Sequence, residues 1–321
     1  MTNLLIVLIV FLALVAFVQL VRVLELSAEI RGISTAEVTD EDNNTQGILM
    51  FASVIVLLVA FFTMMIKYWD LLLPKAASIH GAETDTLMAV SMALIIFVFV
   101  IIQPIMFYFA YKYRGNKKNK ALFYAHNNKL EVIWTVIPAI VLTGLIFYGL
   151  NTWGKIVNTD TSDAIVIELY GKQFQWDARY SGEDNELGIA NVRFIEGTNV
   201  LGLDIEDEKS WDDIVTSELH LPVNKKILFK FRSQDIIHSA YMPHFRLQMN
   251  CVPGMVTQFA FTPTMTTEEM KKETSNPDFE YVLLCNKICG AAHYNMQMRI
   301  VVESEEDYNK WLKEQTIFQN L

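Results

Sequence analysis

Cysteine is scarce in this chain of 321 residues, which has three: Cys251, Cys285 and Cys289. No Cys-x-x-Cys-His pattern occurs, so the sequence excludes a covalently attached c-type haem. Cys251 lies in the stretch Asn-Cys-Val-Pro-Gly, where we expect a small buried core residue rather than a ligand. Two thiols therefore remain for chemistry.

An excess of basic side chains is also missing, above all from the second half of the chain. The first 150 residues carry ten basic and ten acidic side chains, so the whole net charge of −10 falls after residue 150. This distribution argues against a nucleic-acid partner and favours a basic protein partner. Acids cluster in residues 183–218, for which we predict a solvated loop or, alternatively, a docking surface for such a partner.

Charged residues are almost absent from four stretches, residues 4–21, 48–66, 87–111 and 132–149. Each is long enough, or nearly so, to cross a bilayer, which takes about 20 residues. The first stretch has neither a preceding basic residue nor a small-residue cleavage pattern, so we expect a retained helix rather than a signal peptide. The 52% hydrophobic content supports division of the chain between lipid and water.

The connection over residues 112–129 sets the predicted orientation. It contains six basic side chains and no acid, so we place it in the cytoplasm and residue 151 onward on the opposite side. From residue 164 the pattern changes to short alternating runs that predict a β-sandwich or barrel. These runs are residues 165–169, 174–180, 227–231, 257–261, 281–284 and 298–302; residues 303–319 predict an amphipathic helix.

Residues 281–296 hold the densest set of ligand-type side chains. Cys285, Cys289, His293 and Met296 follow one another at spacings of four, four and three. Those spacings fit one face of a helix, but Gly290 and the flanking Val, Leu and Ile runs favour a loop wrapped between two strands. Thiolate and thioether suit Cu(I), and imidazole suits copper in either state. We expect His238, at the end of an apolar alternating run, to add a further ligand.

These residues resemble a known family. His238-Ser followed far downstream by Cys-x-x-x-Cys-Gly-x-x-His-x-x-Met is similar to the copper motif of subunit II of haem-copper cytochrome c oxidases. The similarity extends to Gly-Lys-Gln-Phe-Gln-Trp at 171–176, Leu-Pro at 221–222, Val-Pro-Gly at 252–254 and Glu-Val-Ile-Trp-Thr-Val-Ile-Pro at 131–138. It covers roughly residues 85–315.

The resemblance implies a binuclear CuA centre, in which two thiolates bridge two copper ions. Carried over to this sequence, the ligands would be Cys285, Cys289, His238, His293, Met296 and the backbone carbonyl of Lys287. A mononuclear blue-copper site uses a single thiolate, so the second thiol agrees with a second metal. Sharing one unpaired electron between two coppers keeps bond lengths nearly constant on reduction.

The resemblance also implies roles outside the copper ligands. Electrons from cytochrome c would enter near Trp176 and Phe174, although the family usually has Trp where this chain has Phe174. Glu131 would mark the mouth of a proton path into the catalytic subunit, besides being a favourable charge at a helix N-terminus. Lys287 and Asn250 replace the Glu and Asp usual near an interface magnesium ion, which argues against that magnesium site here.

The expected fold is a membrane-anchored α region followed by an all-β, cupredoxin-like Greek-key barrel. We predict an extra membrane region at 1–83, the family's transmembrane hairpin at 84–152 with helices near 87–111 and 131–150, and a CuA domain with a C-terminal helix at 153–321. The two helices before the hairpin depart from the family pattern, and packing against a neighbouring subunit would explain them.

The expected function is that of subunit II of a proton-translocating cytochrome c oxidase in a bacterial plasma membrane, with the C-terminal domain periplasmic. Its partners would be subunit I, other oxidase subunits, membrane lipid and a c-type cytochrome, which a larger respiratory assembly could hold beside the site. This chain alone would not reduce oxygen. Alternatives are a disulfide or structural zinc site, a membrane-anchored copper carrier, and a quinol oxidase subunit of the same fold.

Overall fold

The computed structural model describes residues 2–30, 32 and 38–320. Its first part contains four long helices: α1 (Thr2–Ile30), α2 (Asp40–Leu72), α3 (Ile79–Lys112) and α4 (Asn128–Val157). In the described part of the chain these four are long and apolar enough to cross a membrane. Each runs beyond the apolar stretch predicted for it, because polar flanks continue the helical hydrogen bonding past the apolar residues.

The chain divides into two compact units. One comprises residues 1–67 and 95–127, and the other comprises residues 68–94 and 128–321. The second unit contains the start of α3, the whole of α4 and every strand that the structure describes. The domain boundaries after residues 83 and 152 stay a prediction.

Ten strands form two five-stranded sheets in the second unit. The first sheet has the order β3-β2-β1-β5-β8 and the second has the order β4-β10-β9-β6-β7. Their bounds are β1 (Ile165–Lys172), β2 (Gln175–Tyr180), β3 (Ile214–Thr216), β4 (Leu219–Pro222), β5 (Ile227–Ser233), β6 (His238–Met242), β7 (Leu247–Cys251), β8 (Thr257–Phe261), β9 (Tyr281–Cys285) and β10 (Gln297–Glu303). Connections pass repeatedly from one sheet to the other, as in a sandwich.

All six predicted runs are strands, whereas β3, β4, β6 and β7 were missed. β3 and β4 have only three and four residues, too few to establish a period of two, and β6 is buried on both faces and does not alternate. β7 alternates over its five residues and was overlooked. The prediction that His238 ends an apolar run was wrong: β5 ends at Ser233, and His238 begins β6. The Ser233 hydroxyl donates to the Ile236 carbonyl, and the Asp235 carboxylate accepts from the Ile236 N–H, so a turn separates the two strands.

The two sheets face each other across an apolar core. Burial alternates strictly along β5, where Ile227, Phe229 and Phe231 are buried between half-buried neighbours. Leu283 on β9 and Ile300 on β10 belong to the same buried cluster. The period-two pattern that predicted the strands therefore also sets which side chains fill the sandwich.

The predicted C-terminal helix is present but shorter than expected. It is α6 (Glu305–Glu314), which comes directly after β10. A shorter helix, α5 (Thr267–Glu273), lies between β8 and β9. The Ser304 hydroxyl caps its N-terminus by accepting from the Asp307 N–H. Trp311 stacks on the His220 ring at 4.0 Å between centroids, so the helix covers the edge of the sheet formed by β4.

The acidic segment predicted as a solvated loop is partly folded against the sandwich. Leu201 and Leu203 are buried with Tyr170 of β1 in a second small core. Arg179 of β2 donates to the Gly188 carbonyl at 2.7 Å and pairs with Asp213 and Glu168, so a buried cation ties the segment to the sheet.

The start of α3 is attached to the β-sandwich by a charged pair. Arg246, in the turn after β6, donates from Nε and Nη2 to the two Asp85 carboxylate oxygens at 2.7 and 2.8 Å. The Ala77 N–H donates to the His244 carbonyl at 2.7 Å in the same region. A bidentate guanidinium–carboxylate pair fixes orientation as well as distance.

We expect Glu168→Gln to destabilise the sandwich. Glu168 is 4% exposed and pairs with both Arg179 and Arg232, so its loss leaves the Arg232 guanidinium without a carboxylate and Arg179 with Asp213 alone. The cost should be about 3 kcal/mol, which lowers the unfolding midpoint by about 6 to 12 °C. Thermal unfolding of the full chain in detergent, followed by near-ultraviolet circular dichroism, measures it. Exposed Glu206→Gln is the matched control, and equal midpoints for the two variants would contradict the prediction.

Candidate metal centre

His238 reaches the site from the first position of β6. Within the second sheet, β6 pairs with β9 in the register Ala240 opposite Cys285. Because side chains two residues apart share a face of a strand, His238, Ala240 and Cys285 point to the same side. His238 is completely buried, and its Nδ1 lies 3.8 Å from the Cys285 Sγ.

Cys285 is the last residue of β9, and the other candidate ligands lie on the connection between β9 and β10, which is a wrapped loop as predicted. The Cys285 N–H donates to the Met296 carbonyl at 3.0 Å, which closes the base of the loop. The Asn286 N–H donates to the Ser239 carbonyl at 2.9 Å, which fastens the loop to β6. Inside the loop, one short 3₁₀ turn, His293–Asn295, brings the imidazole and thioether back toward the thiols.

The candidate ligand atoms converge in two groups around the thiols. The Cys285 Sγ lies 3.8 Å from the His238 Nδ1 and 3.2 Å from the Lys287 carbonyl oxygen. The Cys289 Sγ lies 3.6 Å from the His293 Nδ1 and 3.7 Å from the Met296 Sδ. The two sulfurs are 3.8 Å apart, and neither is in a disulfide.

These separations suit ligands around metal ions. Metal–sulfur and metal–nitrogen bonds of about 2.3 and 2.0 Å at tetrahedral angles place neighbouring ligand atoms about 3.5 Å apart. Ligand atoms of His238, Cys285 and Cys289 lie within 4.8 Å of one another, and all three residues are buried. Among the described residues, these three form the one cluster of His, Cys, Asp or Glu side chains found close enough together to hold a metal ion.

Burial disfavours the anionic form of the Cys289 thiol. Burial, with a further contribution from Cys285, raises the pKa of the Cys289 thiol to about 11. Burial also raises the pKa of the Cys251 thiol, to about 12. Because a metal ion favours the thiolate, it would supply the positive charge that the surrounding protein lacks.

Two polar residues beside the site were missed by the sequence analysis. The Asp235 carboxylate lies 2.8 Å from the His238 Nε2, and the Gln173 side-chain amide donates to the Cys289 carbonyl at 2.5 Å. Burial raises the pKa of the Asp235 carboxyl, but hydrogen bonds from His238, Gln173 and Ile236 lower it below its ordinary value overall. The only sequence signal for Asp235 was its position three residues before a candidate ligand.

The two residues predicted for electron transfer differ in exposure. Trp176 is buried, and its ring packs edge-to-face against the His238 ring with 6.0 Å between the ring centroids. Phe174 is half-buried at the turn between β1 and β2. A Cβ on Gly290 would lie 2.8 Å from the Phe174 Cζ, so Phe174 packs against the backbone beside Cys289. Their role in electron transfer stays a prediction.

The side chains of the other predicted functional residues are not among the donor atoms, and their predicted roles stay predictions. Glu131 is in the first turn of α4, about 40 Å along the helix axis from its other end at 1.5 Å per residue. The Lys287 side chain is exposed, although its carbonyl faces Cys285. Asn250 on β7 pairs in register with Ser239 on β6.

Comparison with known proteins agrees with this architecture. The family model described as Cytochrome C oxidase subunit II, transmembrane domain, matches residues 66–152, and the model described as Cytochrome C oxidase subunit II, periplasmic domain, matches residues 165–305. The first match omits α1 and most of α2. With the sheet topology, the second match confirms the predicted cupredoxin-like fold of the β domain.

Individual relatives are similar over most of the chain. The alternative cytochrome c oxidase subunit 2 of Bradyrhizobium diazoefficiens is 35% identical over 70% of this chain and 77% of its own. The cytochrome c oxidase subunit 2 of Thermostichus vulcanus is 25% identical over 82% and 83%. A solved periplasmic domain of cytochrome oxidase subunit II from Bradyrhizobium japonicum has a TM-score of 0.33 and 22% identity, over 47% of this chain and 93% of its own. From the two family matches and the 35% identical relative, the chain belongs to the cytochrome c oxidase subunit II family.

Proposed function

We propose that this chain takes electrons from a c-type cytochrome at a binuclear CuA centre and passes them to haem in oxidase subunit I. The observation that carries the proposal is the pair of free thiols 3.8 Å apart, each with its own imidazole within 4 Å. Oxygen reduction would take place in subunit I, so this chain would contribute electron delivery to the enzyme.

The donor set fits two coppers better than one. Each thiol has an imidazole and one weaker donor beside it: the Lys287 carbonyl at Cys285 and the Met296 thioether at Cys289. A mononuclear blue-copper site needs one thiolate, two imidazoles and a weak axial ligand. Two coppers bridged by sulfur would require two thiolates, and both thiols are present here with donors beside each. Bound copper would supply a one-electron acceptor.

The protein's contribution is to hold and shield the donor atoms. His238 is completely buried, while Cys289 and Met296 are each 1% exposed, so the surrounding side chains exclude water from most of the donor set. His238 is fixed by strand pairing and the loop by its own backbone hydrogen bonds. Ligands held on a stiff frame need not rearrange when the metal changes charge.

Exposed side chains near the thiols give a partner access to the site. His293 is half-buried, whereas Ile288 and Tyr294 on the same loop are 86 and 87% exposed. Exposed large apolar side chains beside a redox centre favour contact with another protein. We assign such contacts to the oxidase core or the cytochrome donor, and we place the β domain on the periplasmic side with α1–α4 in the membrane.

The alternatives are less well supported. A structural zinc site normally has four N or S ligands without a thioether, and the thiols are not joined in a disulfide. Family membership does not favour a copper carrier. A quinol oxidase subunit usually lacks the copper ligand set, whose residue types are complete here.

We expect the purified chain to bind two copper ions. Copper and protein measured on the same sample should give two coppers per chain, and electron paramagnetic resonance should show one unpaired electron shared by two copper nuclei. The reason is that two shared thiolates, with an imidazole and a weaker donor at each end, would give the two coppers nearly equal ligand environments. A single copper per chain with a mononuclear spectrum would reject the binuclear centre.

We expect Cys289→Ser to abolish the shared-electron spectrum and lower copper content to one ion or none. A serine hydroxyl is not ionised near neutral pH and is a poor ligand for Cu(I), so the bridge is lost. Cys251→Ser is the matched control, because it changes a buried thiol outside the donor set. It should keep two coppers. Equal losses in both variants would indicate a folding effect.

We expect the chain to co-purify with a haem-containing oxidase core after mild detergent extraction. Mass spectrometry of the purified complex should identify subunit I, and cytochrome c oxidation should depend on copper in this chain. Recovery without any oxidase subunit, together with readily exchanged copper, would favour a carrier instead.

A further inference from the structure

Asp235 links a candidate ligand to a different part of the sandwich. It lies in the turn between β5 and β6, with its side chain 29% exposed. Besides the His238 imidazole, its carboxylate accepts from the Gln173 N–H and the Ile236 N–H, each at 2.7 Å. Two backbone donors therefore hold the carboxylate in one position against the ring.

This contact determines which imidazole nitrogen is free. An ionised carboxylate only accepts hydrogen bonds, so the His238 Nε2 must carry the hydrogen. The Nδ1, which faces the Cys285 Sγ, is then left with its lone pair available for a metal. A carboxylate behind a ligating imidazole fixes the ring orientation and increases its strength as a donor.

Gln173 continues the connection to the other thiol. Its backbone is held by Asp235, and its side-chain amide donates to the Cys289 carbonyl. The loop can approach this closely because residue 290 is glycine: a Cβ there would lie 2.9 Å from the Gln173 Nε2, and its φ of +135° is one that side chains rarely adopt. The turn between β1 and β2 is thus fastened to the ligand loop beside Cys289.

We infer that Asp235 and Gln173 are positioning residues that fix the two halves of the copper ligand set relative to each other, one through the His238 imidazole and the other through the Cys289 backbone. The inference rests on the proposed copper function. Neither residue would contact copper, since Asp235 faces the far side of the imidazole and Gln173 bonds a backbone oxygen.

The effect on copper is measured in the full chain in detergent by competition with a copper chelator. Asp235→Ala should weaken copper binding by about 10- to 100-fold. Asp235→Asn should restore most of the affinity, since an amide oxygen still accepts from the Nε2. It should also raise the reduction potential, since the negative charge that favours the oxidised centre is gone.

Gln173→Ala should shift the thiolate-to-copper absorption. Gln234→Ala, an exposed neighbour, is the control and should change none of these.

A second measurement requires no copper. Nitrogen NMR of metal-free chain labelled at its six histidines, with His238 assigned from a His238→Gln sample, should show the hydrogen on Nε2 in the wild type. Asp235→Ala should abolish that preference, while near-ultraviolet circular dichroism stays unchanged. Wild-type copper affinity and potential in both alanine variants would overturn the inference. The expected tautomer in a chain that binds no copper would reject the copper function while retaining Asp235 as the residue that orients His238.

Discussion

The pairing of β6 with β9 is the constraint on which the candidate site depends. His238 and Cys285 are 47 residues apart in sequence, and they become neighbours because these strands lie side by side with Ala240 opposite Cys285. A slip of one residue would turn the imidazole or the thiol to the opposite face of the sheet. Buried side chains on both strands resist such a slip, so the core that stabilises the fold also sets the ligand geometry.

The other sheet contributes the wall behind the ligands. Gly171 of β1 leaves space for the rings beside it: a Cβ there would lie 3.0 Å from the Trp176 Cζ3 and 3.2 Å from the His238 Cδ2. The missing side chain allows the β1–β2 hairpin to lie close to the imidazole. Since Gln173 and Phe174 form the turn of that hairpin, the residues nearest the solvent are rigidly connected to the buried donors. A partner that contacts the turn would therefore meet a preorganised site.

Much of the fold could be predicted from the sequence, because several strands alternate clearly and the four long helices of the described residues have long apolar runs. Three of the four missed strands carry no such period, and among them β6 positions His238. The ligand loop was identified because its four side chains are close in sequence. Gln173 was missed because its contacts cross 62 and 116 residues, which one sequence without its fold does not reveal. Asp235 lies only three residues before His238, but the sequence does not show that its carboxylate faces the imidazole.

The position of β6 also connects the candidate centre to the membrane region. His238 is its first residue and Met242 its last, so the strand is about 13 Å long at 3.3 Å per residue. Arg246 follows at the far end, where it binds Asp85 of α3 and the Pro74 carbonyl. One short strand thus joins the ligand to the guanidinium that holds the start of a membrane helix. The charged pair at Arg246 therefore fixes the start of α3 relative to β6, the strand that carries His238. The same strand thus sets the position of a candidate ligand and of the residue that holds α3.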